Sequence, residues 1–377
     1  MQINSSHTIE AAEELLSTID GTMTDTRATL ATKSRGQLGG GEASMIQGLI
    51  TWAQRQEQAV LQTYASSSED GQLDDLVRHL TGLCAVLLSD DVVTNSGVSI
   101  WPETFDKAVM RYGSLANDPK ASRGLQFEIL CADHLSLPLT PLLYGGSEQE
   151  PVLRSEVAFK ELAQIIIASG VIKSKNHPTG LVSAIGSTLF ELFKNTEDHA
   201  KRDSAENIPS RGLRGIHARR HERTSSELEA ISQAALPLAP FFSRLRPPKG
   251  RKKVRFAEFS VFDSGPGLAS RWLRSPAQGI RQDEELKAIE ACFEHRKTTK
   301  DSAGRGVGLP TVIAALQKRG GILRLRTGRQ SLYADLAAQP DLPFGCAPAF
   351  TNFSARPNLA LAAGTLITFI LPLDTSE

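Results

Sequence analysis

Residues 189 to 200 read LFELFKNTEDHA. At about 100° per residue, Glu191, Asn195 and Asp198 share one narrow arc of a helix, with His199 at its edge. Ile185, Leu189, Leu192 and Phe193 cluster away from that arc and are expected to face a core. The polar stripe is therefore available to a ligand. A carboxylate and an amide at helical spacing are equally what a solvated helix face carries, so the rest of the chain has to decide between the two.

Two further motifs bear on the choice. FDSGPG, Phe262 to Gly267, ends the strand pattern VRFAEFSVF. Gly265 and Gly267 permit close backbone approach to a flat ligand, and Pro266 stiffens the turn. The Asp263 carboxylate can accept a hydrogen bond from an exocyclic amine, which adenine has and guanine lacks at the same ring position. An unmatched buried polar group costs about 1–3 kcal/mol, enough to select one base. Taken alone, the motif is also an ordinary strand-ending turn. The third stretch, HRKTTKDSAGRGVGL, runs from His295 to Leu309. Gly304, Gly306 and Gly308 alternate with Arg305 and Val307, and a helix is expected from about Leu309–Pro310, where a first-turn proline is tolerated. A glycine loop opening a helix presents free N–H groups and the positive dipole end to phosphate. Lys300 and Arg305 add formal charge. Alone, it is an ordinary surface loop.

Other phosphate motifs fit poorly. No Gly-Lys-Ser/Thr is present, the glycines run GxGxG and not GxGxxG, and neither HRDLxxxxN nor DFG occurs. These absences argue against a P-loop, a dinucleotide fold and a eukaryotic-type kinase.

The motifs also come in an order. An acid-amide helix is followed by strand-Asp-Gly-x-Gly, then CFEHRKTTK, then GRGVGL with its helix, then the terminal strand GTLITFILPL. This series resembles the GHKL superfamily, which holds the gyrase, heat-shock chaperone, histidine kinase and MutL ATPases. ELFKN looks like its N-box, DSGPG its first glycine box and GRGVGL its second. CFEHRKTTK is similar to the lid segment of histidine kinases, and GGILRLRTG with the GT strand resembles the closing strands. The likeness covers about residues 150–377. It implies an α/β fold: a C-terminal GHKL-type (Bergerat) two-layer sandwich with a mixed sheet, binding ATP and Mg²⁺. It further implies Glu191 as general base, Asn195 as the Mg²⁺ ligand and Asp263 on the adenine amine. Gly265 and Gly267 would shape the base pocket. Gly304, Gly306 and Gly308, with Arg305, Val307 and Leu309 in the same box, would wrap the phosphates, and Lys300 would reach the terminal one. Asp198 and His199 would contact phosphate or water, or cap the helix.

The elements that must position these residues set the domain reading. With 377 residues, two domains are the natural expectation. Residues 1–150 read as a mixed α/β region without a chemical motif, and 151–377 as the ATP-binding domain. Within the first part, 43–61 reads as a helix running to a strand, 72–92 as an amphipathic helix, and 125–133 and 139–146 as strands. Residues 152–172 read as a helix. Residues 201–255 are strongly basic and read as an insertion, solvated and mobile in preference to a nucleic-acid-binding arm, since aromatic residues are sparse. Residues 331–363 lengthen the final hairpin.

Lys+Arg and Asp+Glu both total 42, so overall charge gives no argument for nucleic acid or an anionic membrane. Cys84, Cys131, Cys292 and Cys346 are scattered, without metal-site spacing, as expected of reduced thiols in a cytoplasmic protein. Neither a signal peptide nor a membrane span is expected.

The leading expectation is a nucleotide-driven switch acting on a protein partner or on the chain's own N-terminal region, with a homodimer allowed. One alternative is a protein kinase using the same pocket. A histidine kinase is disfavoured because no histidine, His134 included, sits in a phosphoacceptor context. The mitochondrial-type serine kinases of this superfamily share ELFKN and GLP but carry a helical N-terminal bundle. The other alternative is a sensor that binds nucleotide without hydrolysing it.

Overall fold

The computed structural model describes residues 1–3, 5–21, 27–31, 35–36, 38–64, 71–122, 125–147, 149–171, 180–202, 207–294 and 307–374. The N-terminal part begins with β1 (Gln2–Ile3), β2 (Ser6–His7), α1 (Ile9–Gly21), β3 (Ala28–Leu30), β4 (Arg35–Gly36), α2 (Gly41–Arg55) and β5 (Val60–Thr63). It continues through α3 (Gln72–Arg78), α4 (Leu80–Leu88), β6 (Asp91–Val93) and α5 (Trp101–Asn117). Strands β1, β3, β5 and β6 form a parallel sheet in that order, and β2 pairs with β4. Each step moves to the next strand through a helix. Right-handed crossovers in one direction put α1, α2 and α4 on one face. The single helix expected over 72–92 is two helices and a strand: His79 takes an extended backbone, and all nine residues of α4 are buried.

The rest of the chain supplies β7 (Gln126–Ala132), β8 (Tyr144–Gly146), β9 (Pro151–Leu153), α6 (Glu156–Ile166), α7 (Leu181–His199), β10 (Leu213–Thr224), α8 (Ser225–Ala234) and α9 (Ala239–Arg244). It ends with β11 (Lys253–Phe262), α10 (Leu268–Leu273), α11 (Gln282–Cys292), α12 (Gly308–Gln317), β12 (Ile322–Gly328), β13 (Gln330–Asp335), β14 (Thr351–Asn352) and β15 (Ala362–Pro372). Seven strands build one sheet, in the order β14-β13-β12-β15-β11-β10-β7. The protein is therefore mixed α/β, and no helix among the described residues is long and apolar enough to cross a membrane.

Three expectations are corrected here. The large sheet is antiparallel in every pairing, not mixed, because the terminal strand β15 inserts antiparallel between β11 and β12. Its edge strand β7 comes from before residue 150, so the N-terminal region contributes to it. The basic segment 201–255 is not a solvated insertion. It contains β10, which pairs with β7 on one side and β11 on the other. Two of its cations are held inside the fold: Arg214 lies against Asp133 and Glu197, and Arg211 against Asp90 and the carbonyls of Ala53, Gln56 and Glu57.

Alternation splits the sheet into two faces. Phe127, Ile129, Ile216, Ala218, Phe259, Val261, Ile367 and Phe369 join Phe159, Leu189, Phe193 and Val312 in the core beneath α6, α7 and α12. The other face meets α2 and the N-terminal layer through Leu130, Leu213, Phe262 and Leu366. Helix α2 thus has a sheet on either side, which is why Gly41 to Ala53 are all buried. The sheet is covered on both faces, and the expected two layers become four when the N-terminal sheet is counted.

The face under α2 is unusually polar. Glu128, His217, Ser260, Thr368 and Arg324 stand side by side across five strands. Ser260 and Thr368 bond each other at 2.8 Å, Arg324 donates to Ser44 Oγ at 2.9 Å, and Glu258 accepts the Gly39 N–H at 2.6 Å. Arg326 grips Glu13 through two bonds, at 2.8 and 3.0 Å. Buried pairs of this kind gain little net stability, because desolvation offsets attraction, but breaking one partner costs about 3–5 kcal/mol. They fix the register in which the N-terminal layer sits on the sheet.

Candidate functional site

Helix α7 starts after Gly180 and buries Leu181, Ile185, Thr188, Leu189, Leu192, Phe193 and Thr196 against the sheet. That stripe leaves Glu191, Asn195, Asp198 and His199 half-buried on the other side, as the sequence periodicity requires. Opposite them begins α12, with Pro310 in its first turn and Thr311 bonded back to the Val307 carbonyl. Gly308 stands so close that a β-carbon there would lie 2.7 Å from Glu191 Oε2 and 3.9 Å from Asn195 Oδ1. Val307 and Gly308 are half-buried while Leu309 packs into the core. Lys300, Gly304, Arg305 and Gly306 lie outside the described residues.

The Asp263 motif sits where β11 ends. Asp263 Oδ1 accepts the backbone N–H of Gly265 at 2.9 Å and of Thr365 at 3.1 Å. Its own N–H donates to the Thr365 carbonyl. Burial pushes the Asp263 carboxyl up to about 6, against the pull of those two N–H donors and of Arg214. Gly265 touches α7: a β-carbon would fall 2.6 Å from Ala200 Cα. Gly364, at φ 68°, lies against Asp263, where a β-carbon would be 1.8 Å from its carbonyl oxygen. Gly267 closes the loop with positive φ beside Thr327 Oγ1.

Electrostatics distinguish the two acids' settings. Glu191 is raised above the usual carboxylate range, first by desolvation, then by Glu156 and Asp198, with Lys194 opposing. A carboxylate whose charged form is disfavoured in this way is a better proton acceptor than an ordinary surface glutamate. Among the described residues no group of three or more His, Cys, Asp or Glu is placed to hold a metal. An ion there would draw on Asn195 and on ligand oxygens, which is how Mg²⁺ is commonly held.

Sequence reasoning missed the cluster behind α7. Arg214, fully buried on β10, donates from Nε and Nη2 to the two oxygens of Asp133, at 2.7 Å each. Nη1 donates to Thr196 Oγ1 at 3.2 Å and Glu197 Oε2 at 3.0 Å, and Nη2 to Tyr144 Oη at 3.0 Å. The guanidinium also lies 5.3 Å from the Phe193 ring centre. The register that pairs Gly215 with Phe262 carries Arg214 to the level of Asp263. No motif signals this cluster, because its members come from four separate elements.

Helix α2 reaches the same loop from the other face. Gln54 Nε2 donates to the Ser264 carbonyl at 2.9 Å and the Arg211 carbonyl at 3.3 Å. Gln47 Nε2 donates to the carbonyls of Arg326 and Ala363, and Thr51 Oγ1 accepts the Ala363 N–H at 2.9 Å. A cleft of about 370 Å³ opens on this side of the loop, lined by Thr51, Gln54, Ser210, Ser264 and Pro266. Thr51 and Gln54 spend hydrogen bonds within the fold, and Arg55, which also lines the cleft, pairs with Asp20 at 2.9 Å.

Compared with known proteins, the chain matches no family model, no curated protein and no solved structure.

Proposed function

We propose that this chain binds Mg²⁺-ATP between the polar stripe of α7, the 263–267 loop and the N-terminus of α12, and hydrolyses it in the manner of a GHKL-type (Bergerat) domain. Convergence carries the reading. Segments far apart in sequence meet at one helix: Gly308 against Glu191 and Asn195, and Gly265 against Ala200.

Each residue then has a task that its chemistry supports. Asp263 spends Oδ1 on Gly265 and Thr365, and its Oδ2 accepts the exocyclic amine of adenine. Gly308, with Gly304 and Gly306 before it, lets backbone N–H groups approach the phosphates at the positive end of α12. Lys300 and Arg305 supply positive charge. Asn195 would offer an amide oxygen to Mg²⁺, which would supply positive charge against the phosphates. Glu191 orients water and takes its proton. The N-terminal half would feel turnover through Gln54 on Ser264 and Thr51 on Ala363, which favours the chain's own N-terminal region as the object of the switch. A protein partner would read that movement. The burial of β10 weighs against nucleic acid on the basic segment.

A phosphate-release assay tests this. Wild type is expected to release phosphate from ATP with Mg²⁺ and stop in EDTA, and Glu191→Ala to bind ATP without release. Phosphate release unchanged in Glu191→Ala would reject the role of that residue. ATP bound by wild type but never cleaved would reject hydrolysis.

A further inference from the structure

We infer that Arg214 is the positioning residue of the site: it holds the last turns of α7 from behind, so that Asn195 is presented to magnesium. The inference rests on the Mg²⁺-ATP reading above.

The argument starts from helix geometry. With Glu191 at 0°, steps of about 100° place Asn195 near 40° and Asp198 near 340°. Phe193, Thr196 and Glu197 fall near 200°, 140° and 240°, on the opposite side. Arg214 touches all three of the latter. The guanidinium carries five N–H donors in a fixed fork. Here each has an acceptor: two on Asp133, one each on Thr196, Glu197 and Tyr144. Charge balances as well, with Lys201 bridging to Glu197. A buried cation with every donor used and two anions beside it admits one geometry.

That geometry ties the helix to the ends of three strands. Asp133 directly follows β7, Tyr144 opens β8 and Arg214 lies on β10 at the level of Asp263. Asn195 adjoins Thr196 in sequence, so the rotation of α7 about its own axis, which aims Asn195 at the ligand, is set by the clamp. Asp263 takes its hydrogen bonds from the Gly265 and Thr365 N–H groups, and Arg214 acts on it only through charge, which lysine keeps. The two halves of the site therefore have different supports. Loss of the clamp should damage metal use and spare base recognition. Lysine keeps the charge but presents a single nitrogen, which cannot reproduce the fork.

The experiment measures two quantities on the full chain: the Mg²⁺ concentration for half-maximal phosphate release, and ATP affinity in EDTA. Arg214→Lys is expected to raise the first by roughly tenfold, the scale on which removal of a ligand's support weakens metal sites. The second is expected to stay within about twofold, as for a site whose base contacts are untouched. Thr196→Val removes a single acceptor and should shift the first quantity in the same direction by less, which keeps the test open if Arg214→Lys does not fold. An unchanged Mg²⁺ midpoint in folded Arg214→Lys, or in Thr196→Val where Arg214→Lys does not fold, overturns the inference. So does a parallel loss of ATP affinity in EDTA, which marks general loosening. Absence of ATP binding in wild type overturns the nucleotide reading itself, and this inference with it.

Discussion

Glu191 and Gly308 meet across the gap between two helices, with no room for a β-carbon between the carboxylate of one and the backbone of the other. The obstructing atom is Oε2, the far end of a flexible side chain, so Gly308→Ala should fold and push the carboxylate aside. A misplacement of about 1 Å can cost 10²-fold in rate. We expect Gly308→Ala to lower phosphate release by one to two orders of magnitude on that scale, with Tm close to wild type. Steady-state kinetics beside a melting curve checks this, and full activity would show that the contact does not matter to the chemistry.

Substitution should separate the two acids. Glu191→Gln keeps shape and loses basicity, so turnover should fall by roughly 10²–10⁴-fold, the usual contribution of general base catalysis, with ATP affinity little changed. Asp263→Asn puts an amide where the adenine amine needs an acceptor. Affinity should fall by about 1–3 kcal/mol, on the order of tenfold to a hundredfold. Titration calorimetry distinguishes the two outcomes, and equal loss of affinity in both variants would undo the assignment.

The pH response follows from burial. Asp263 ionises at about 6, above its ordinary value of 3.8. Adenine recognition uses the ionised form, so ATP affinity should hold above pH 7 and weaken as pH falls through about 6. For folding the sign is reversed. A raised carboxyl favours the folded state below its unfolded value, and that contribution is lost as pH rises through about 6. Nucleotide-free Asp263→Asn should therefore gain Tm over wild type at pH 8 and lose that advantage at pH 4. Melting curves at the two pH values test the second effect and binding curves the first. A Tm difference that ignores pH would mean that the carboxylate is not desolvated.

Coupling to the N-terminal half should pass through Gln54. Gln54→Ala removes the donor to the Ser264 and Arg211 carbonyls, at a cost of about 1–3 kcal/mol for the buried acceptors left behind. Hydrogen exchange of the α2 amides should slow when ATP binds wild type, and this response should shrink in the variant while ATP affinity stays close to wild type. An α2 that responds equally in both would exclude Gln54 as the link.

Parts of this arrangement were legible in sequence for local reasons. The period of Ile185, Leu189, Leu192 and Phe193 fixed α7 and its outward stripe. A strand pattern running into Asp-Ser-Gly-Pro-Gly marked the turn at Asp263. Gly308 and Pro310 marked the start of α12. Strand β10 was hidden because its two buried faces carry Arg214, His217 and Arg220, whose burial depends in part on partners such as Asp133 and Glu197 that are distant in the chain. Helix α2 shows the same effect. Gln47, Thr51 and Gln54 form a stripe that looks solvated, yet their bonds go to the backbone of the large sheet and the Asp263 loop. Polar atoms that pair with distant backbone leave no pattern in sequence.

The central claim is that the α7 side of the Asp263 loop is a nucleotide site. Calorimetric titration of the full chain with a non-hydrolysable ATP analogue and Mg²⁺ tests it most directly. The account predicts a single site of micromolar affinity, about −8 kcal/mol, weakened by roughly tenfold to a hundredfold in Asp263→Asn and discriminating against the guanine analogue. No binding heat and no rise in Tm at millimolar analogue, with the protein folded, would contradict it.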